Sequence, residues 1–160
     1  MSLIIKKVND NFYRFLIKKN DQTQLIKKKI ESVKIPFGLE KYKGKYLVNF
    51  ELSDKKDIEL INLIELLETK IKEVFNDTSI QIKKLFKKTD RGVLVKGNIK
   101  KNKNVIITKY IVDNEEKSIF DLPKKTFVKL SIELSGIWKF KNTCGLFVNI
   151  KSIRNIKENK

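Results

Sequence analysis

Three stretches of the chain interleave flat aromatic side chains with lysines. In the first, Phe37, Tyr42 and Tyr46 alternate with Lys41, Lys43 and Lys45. The second, Lys83 to Lys109, carries ten basic residues, among them Lys87, Lys88, Arg91, Lys96, Lys100, Lys101 and Lys103, against one acid, Asp90. The third sets Trp138, Phe140 and Phe147 among Lys139, Lys141 and Lys151. This combination suits a single-stranded polyanion with exposed rings: ammonium groups track phosphates while side-chain rings stack on bases, each stack contributing roughly 1–3 kcal/mol.

Strand alternation sorts these aromatics. Tyr46 shares a face with Val48, Phe50 and Leu52, which favours a core position over a stacking one. Tyr42 stands beside Gly44 with lysines on both sides and is the better stacking candidate, although a tyrosine closing the end of a barrel would carry the same pattern. Trp138 and Phe140 continue the parity of Val128, Leu130, Ile132 and Leu134, which reads as core unless Gly136 introduces a bulge that changes the register. Phe147 opposes the Cys144, Leu146, Val148 and Ile150 face, so it is expected to be exposed. Runs such as Lys27-Lys28-Lys29 and Lys87-Lys88 are ordinarily solvated faces.

The residues that are missing narrow the chemistry. With no histidine and one cysteine, Cys144, the chain lacks the usual nucleophile–imidazole pairs, a standard zinc site and histidine acid–base catalysis. Its six glycines are too scattered for a phosphate-cradling loop. Asp113, Glu115 and Glu116 form the best carboxylate cluster, but acids in a turn are ordinarily solvated. No catalytic residue, metal or cofactor is expected.

The net charge is +17, which points to a polyanionic partner through counterion release. An AT-rich coding sequence would also enrich lysine alongside the 22 isoleucines and 14 asparagines. Segregation argues for a basic surface beyond such bias: residues 1–50 carry +8, residues 51–80 carry −4 and residues 81–160 carry +13. No apolar run approaches the roughly 20 residues of a membrane span. The start of the chain lacks the pattern of a secretory leader, and a single cysteine suits a reducing compartment, so a cytoplasmic location is expected.

Period-two patterning prevails in the elements that must carry these side chains. Phe12 to Lys19 and Gln24 to Ile30 read as a hairpin around Asn20-Asp21-Gln22-Thr23, and Tyr46 to Leu52 as a strand. Gly92 to Ile99 and Val105 to Val112 read as paired strands joined at Lys100-Lys101-Asn102-Lys103, followed by strands at Thr126 to Leu134 and Cys144 to Ile150. One helix is expected from Asp54 to Phe75, with Leu60, Ile64, Leu67, Ile71 and Val74 as its apolar stripe and Ser53 or Asp54 as its cap. Its acidic outer face places it away from any phosphate ligand. At 160 residues the chain reads as one domain, with a basic tail from Arg154 expected to fray. The expected fold is mainly β with one inserted helix, a decorated OB-like barrel; the alternative is an α+β antiparallel sheet covered by the helix.

The segment from Phe127-Val128-Lys129-Leu130 through Gly136-Ile137-Trp138-Lys139-Phe140 to Cys144-Gly145-Leu146-Phe147-Val148-Asn149-Ile150 resembles the closing strands of single-stranded-DNA-binding proteins of large cytoplasmic DNA viruses and of linear cytoplasmic plasmids in yeasts. There a tryptophan, a short polar turn and a Gly-Leu-aromatic strand recur. The resemblance covers about a fifth of the chain. It implies an OB-like fold, sequence-independent binding and a role in replication, recombination or repair, carried here by Trp138, Gly145, Leu146 and Phe147.

The resulting expectation is a non-catalytic single-stranded-DNA-binding protein. Replication proteins and further copies of the chain are the protein partners such a role admits. Its rivals are a double-stranded DNA- or RNA-binding protein, and a protein-interaction subunit that docks a partner on the helix.

Overall fold

Isoleucine, valine and aromatic residues at alternating positions make strands the dominant element, and the structure, a computed structural model, describes residues 2–76 and 79–156. β1 (Ser2–Asn9) and β2 (Phe12–Lys19) form an antiparallel hairpin; β3 (Gln22–Gln24) folds back on β2, and β4 (Ile26–Ile35) follows. β5 (Leu39–Tyr42) and β6 (Lys45–Ser53) make the next hairpin and lead into α1 (Ile58–Val74). Then come β7 (Gln81–Lys83), β8 (Phe86–Lys88), β9 (Gly92–Ile99), β10 (Lys101–Asn102), β11 (Val105–Ile106), β12 (Lys109–Val112) and β13 (Glu115–Lys117). A 3-10 turn at Ile119–Asp121 precedes the two long strands β14 (Thr126–Phe140) and β15 (Thr143–Asn155). Two-residue turns with positive φ close three of the hairpins, at Asn20-Asp21, Lys43-Gly44 and Asp113-Asn114, the conformation that matches strand twist.

Five strands form a partly closed ring in the order β14-β4-β6-β9-β15, with β15 pairing back to β14. All joints are antiparallel except β9–β15, which is parallel at Asn149↔Asn98 and Ile150↔Ile99. This is an OB-like barrel with one helix. Inward positions Val48, Phe50, Val95, Val128, Leu130, Ile132, Val148 and Ile150 fill it, and α1 adds Ile61, Ile64, Leu67 and Ile71 to the same core. The parallel joint depends on Gly97, where a Cβ would lie 2.6 Å from the Ile150 side chain.

Several local expectations are corrected. β9 pairs with β6, β8 and β15, not with the segment after Lys103; β10 and β11 form a separate small hairpin and β12 joins β15 in parallel. Two joints claim Thr108: its hydroxyl donates to Ile150 O at 2.6 Å and accepts from Lys100 N at 2.7 Å, which ties the chain down before β12. The Phe12–Lys19 hairpin keeps only the short return β3, because β4 is drawn to β14 and β6. α1 starts four residues later than expected, because residues 54–57 form a turn in which Asp57 accepts from Ser53 N at 2.9 Å and the Ser53 hydroxyl accepts from Lys55 N. Its buried stripe runs through Ile61 and Glu68 instead of Leu60 and Val74. Burial raises the Glu68 carboxyl above its usual range, and that carboxylate accepts from Leu85 N at 3.4 Å. Arg154 and Asn155 continue β15 instead of fraying; residues 157–160 of the expected tail lie outside the described residues.

Candidate nucleic-acid interface

β14 carries the bulge that decides the aromatic question. Its register on β15 shifts between Leu134 and Gly136, after which Ile137 is the buried residue and Trp138 points to the outward face. The shift occurs where β2 docks, pairing Arg14 with Gly136 and Phe12 with Trp138. Trp138 lies over Gly145, where an added Cβ would sit 2.9 Å from the indole Nε1, so the missing side chain is the socket for the ring. Phe147, opposite Gly136, is half-buried and not fully exposed, because Phe12 packs edge-to-face against it at 6.1 Å. Phe140 is 62% exposed at the tip of the hairpin.

These rings border a groove of about 600 Å³ whose floor is the outward face of β6, β9 and β15. Leu47, Asn98 and Phe147 line it, and the register places Leu47 beside Asn98 and Asn98 beside Asn149 across the three strands. Tyr42, 60% exposed, stands on one wall and Trp138 and Phe140 on the other. Among the described residues six lysines line the groove, Lys43, Lys45, Lys83, Lys84, Lys96 and Lys139, and no carboxylate does. The ammonium groups of Lys43 and Lys96 lie 5.3 and 5.9 Å from the Tyr42 ring centre, and that of Lys141 lies 5.4 Å from Phe140, so cations and rings already share faces. No residue of α1 lines the groove.

Two depressions extend it. One shares Lys45, Asn98 and Phe147 with the groove and adds Lys100, Lys101 and Lys103. The other shares Tyr42, Leu47 and Lys96 and adds Lys41, Asn49 and Glu40, whose carboxylate accepts from Asn49 Nδ2 at 2.7 Å. The three basic–aromatic stretches of the sequence therefore converge on one trough. Lys87 and Lys88 do not line it: they stand on β8 beside Leu94 and Val93, and Arg91 lies in the turn before β9. Tyr46 is half-buried, not a core residue: it packs edge-to-face on the exposed Phe120 at 5.4 Å at the edge of the core and also lines the depression that carries Lys100, Lys101 and Lys103. Phe12, Lys83 and Lys84 were not singled out in the sequence. Lys83 and Lys84 lay in the basic stretch, whereas Phe12 reaches the site through a pairing with Trp138 that no local pattern announces.

Its fold is shared with a phage single-stranded-DNA-binding protein. The single-stranded DNA-binding protein from bacteriophage Enc34, C-terminal truncation, matches with a TM-score of 0.59 and 13% identity, covering 99% of this chain and 95% of that one. The same phage protein in complex with ssDNA matches with a TM-score of 0.57 and 13% identity, over 99% and 97% of the two chains. No family model and no curated protein matches the chain. The likeness lies with a phage protein's fold, and the resemblance of the closing strands to proteins of cytoplasmic viruses and yeast plasmids has no family-level counterpart.

Among the described residues no group of three or more His, Cys, Asp or Glu side chains is placed to hold a metal ion. Asp113 accepts from Asn155 Nδ2 at 3.0 Å and Glu115 pairs with Lys117 at 3.2 Å. Cys144 is buried, and burial pushes its thiol pKa up.

Lys151 proves to be committed elsewhere. Its ammonium lies 3.8 Å from Glu133, whose side chain is 4% exposed and whose Oε2 finds no hydrogen-bond donor among the described residues. Removing one member of such a pair strands the other, so Lys151→Ala is expected to destabilise the fold by about 1–3 kcal/mol. Adding Glu133→Gln to it should recover most of that loss. Urea unfolding of the two single variants and the double variant measures this coupling directly.

Proposed function

We infer that this chain binds single-stranded DNA without reading its sequence, in a non-catalytic role in replication, recombination or repair in the cytoplasm. The observation that carries this reading is the groove, which unites six lysines with Tyr42, Trp138, Phe140 and Phe147 from segments far apart in sequence and, among the described residues, has no carboxylate in its lining. Rings set beside ammonium groups favour unpaired bases, because the π-faces of a duplex are already stacked on each other. The position supports it too. The outward face of the second and third ring strands, flanked by the loops between strands one and two and between four and five, is where OB folds take oligonucleotides. Here those strands are β6 and β9, and the loops carry Tyr42-Lys43 and Lys141. Further support comes from the neighbour of like fold solved in complex with ssDNA.

Competition between oligo(dT) and duplex of equal length, across a salt series, tests the reading. Oligo(dT) is expected to bind more tightly, with log affinity falling linearly in log salt at about −0.7 per phosphate engaged. Equal or tighter duplex binding would overturn the single-strand claim, and no binding at low salt would favour a protein-interaction subunit.

A further inference from the structure

The outward face of the sheet continues beyond the groove along the two long strands. The register sets Lys27 beside Glu133 and Glu133 beside Asn149; one step on, Lys29, Ser131, Ser152 and Lys109 form a row across β4, β14, β15 and β12. A step further, Lys129, Arg154 and Ile111 form another. All of these lie opposite the inward set of Val128, Leu130, Ile132, Ile150 and Ile153, so they share the outward face with Phe147. Lys29, Lys109, Lys129 and Arg154 are exposed over a floor of half-buried serines. Of the carboxylates near them, Glu133 is buried beside Lys151 and Asp113 is held by Asn155, whereas two are exposed: Glu31, 3.9 Å from the likewise exposed Lys129 and displaceable by a phosphate, and Glu116, beside Ile111 at the far edge of the row. A depression of about 440 Å³ is lined by Lys129, Arg154 and Asn155 together with Asp113, and Phe127, 56% exposed, stands two positions beyond Lys129 on β14. From Phe147 to Arg154 along β15 the distance is about 20 Å, six steps of roughly 3.3 Å with the extra residue of the bulge at Lys151 set aside.

Resting on the single-strand reading above, we propose that the strand leaving the groove past Phe147 and Asn149 continues over this face, its phosphates held by Lys29, Lys109, Lys129 and Arg154. The tract is rich in cations and poor in rings. It lengthens the site and adds to affinity through phosphates, whereas the groove supplies stacking. The site is therefore divided into a short stacking half and a longer electrostatic half.

A length series separates the halves. The wild type and the variant Lys29→Gln/Lys109→Gln/Lys129→Gln/Arg154→Gln are titrated with oligo(dT) of about 5 and about 15 nucleotides, within the range of site sizes per OB fold. A control variant, Lys19→Gln/Lys55→Gln/Lys70→Gln/Lys72→Gln, removes the same charge from other surfaces. The tract variant is expected to lose tenfold or more in affinity for the long oligonucleotide at low salt, with a salt slope shallower by about 3, since four contacts contribute about 0.7 each. Its affinity for the short one should stay within about twofold of wild type, on the expectation that a strand this short is held by the groove alone. Equal weakening at both lengths, or a long-oligonucleotide loss no greater than in the control, would overturn the tract while leaving the groove intact. Failure of the wild type to bind either length would instead remove the single-strand reading and the tract with it.

Discussion

Trp138→Leu is expected to lower the affinity for oligo(dT) by about 5- to 150-fold, the equivalent of one lost base stack of roughly 1–3 kcal/mol. Leucine keeps an apolar group over Gly145 but offers no flat face. Trp138→Phe keeps a ring in the same place and should retain most of the binding. The comparison distinguishes stacking from packing, because both substitutions trim the side chain where the indole fills its socket. Binding by isothermal calorimetry with thermal unfolding in parallel reads it out. Unchanged affinity in Trp138→Leu, or equal losses in the two variants, would remove Trp138 from the interface.

Gly136→Ala has the largest expected effect on the scaffold. A Cβ at this position would lie 1.9 Å from Tyr13 O and 2.9 Å from its carbonyl carbon, and backbone cannot yield as a side-chain tip can. The joint between β2 and β14 must open. The expected cost is at the upper end of overpacking penalties, about 3 kcal/mol, or a fall in melting temperature of roughly 6–12 °C for a chain of this size. Since Phe12, Trp138 and Phe147 all meet at that joint, affinity for oligo(dT) should fall with it. A variant of wild-type stability would mean that the bulge is not held as described.

The ring of strands and the helix were legible because alternation and a four-three apolar repeat are local signals. Val128, Leu130, Ile132 and Leu134 face inward as their spacing requires. What was not legible is partnership. Gly92 to Ile99 looks complete beside Val105 to Val112, yet β9 takes its partners, β6 and β15, from segments distant in sequence, and the adjacent segment is divided between a separate small hairpin and β12, which joins β15. Gly136 could be recognised as a place for a bulge, but whether one formed depended on β2, over a hundred residues away. Lys151 was read as a free cation because the burial of Glu133, which commits it, appears only when β14 and β15 are paired. The convergence of Tyr42, Lys96 and Trp138 was implied by composition alone; their common groove arises from the order of the ring.

Trp138 is the sole tryptophan of the chain and borders the groove, so its own emission reports on the ligand. Single-strand binding in the groove is tested most directly by a fluorescence titration with oligo(dT) and with duplex of equal length at rising salt. Saturable quenching by oligo(dT) is expected at lower concentrations than by duplex, with the midpoint moving up steeply as salt increases. Tighter binding of duplex, or binding of oligo(dT) that leaves the emission of Trp138 unchanged, would contradict it.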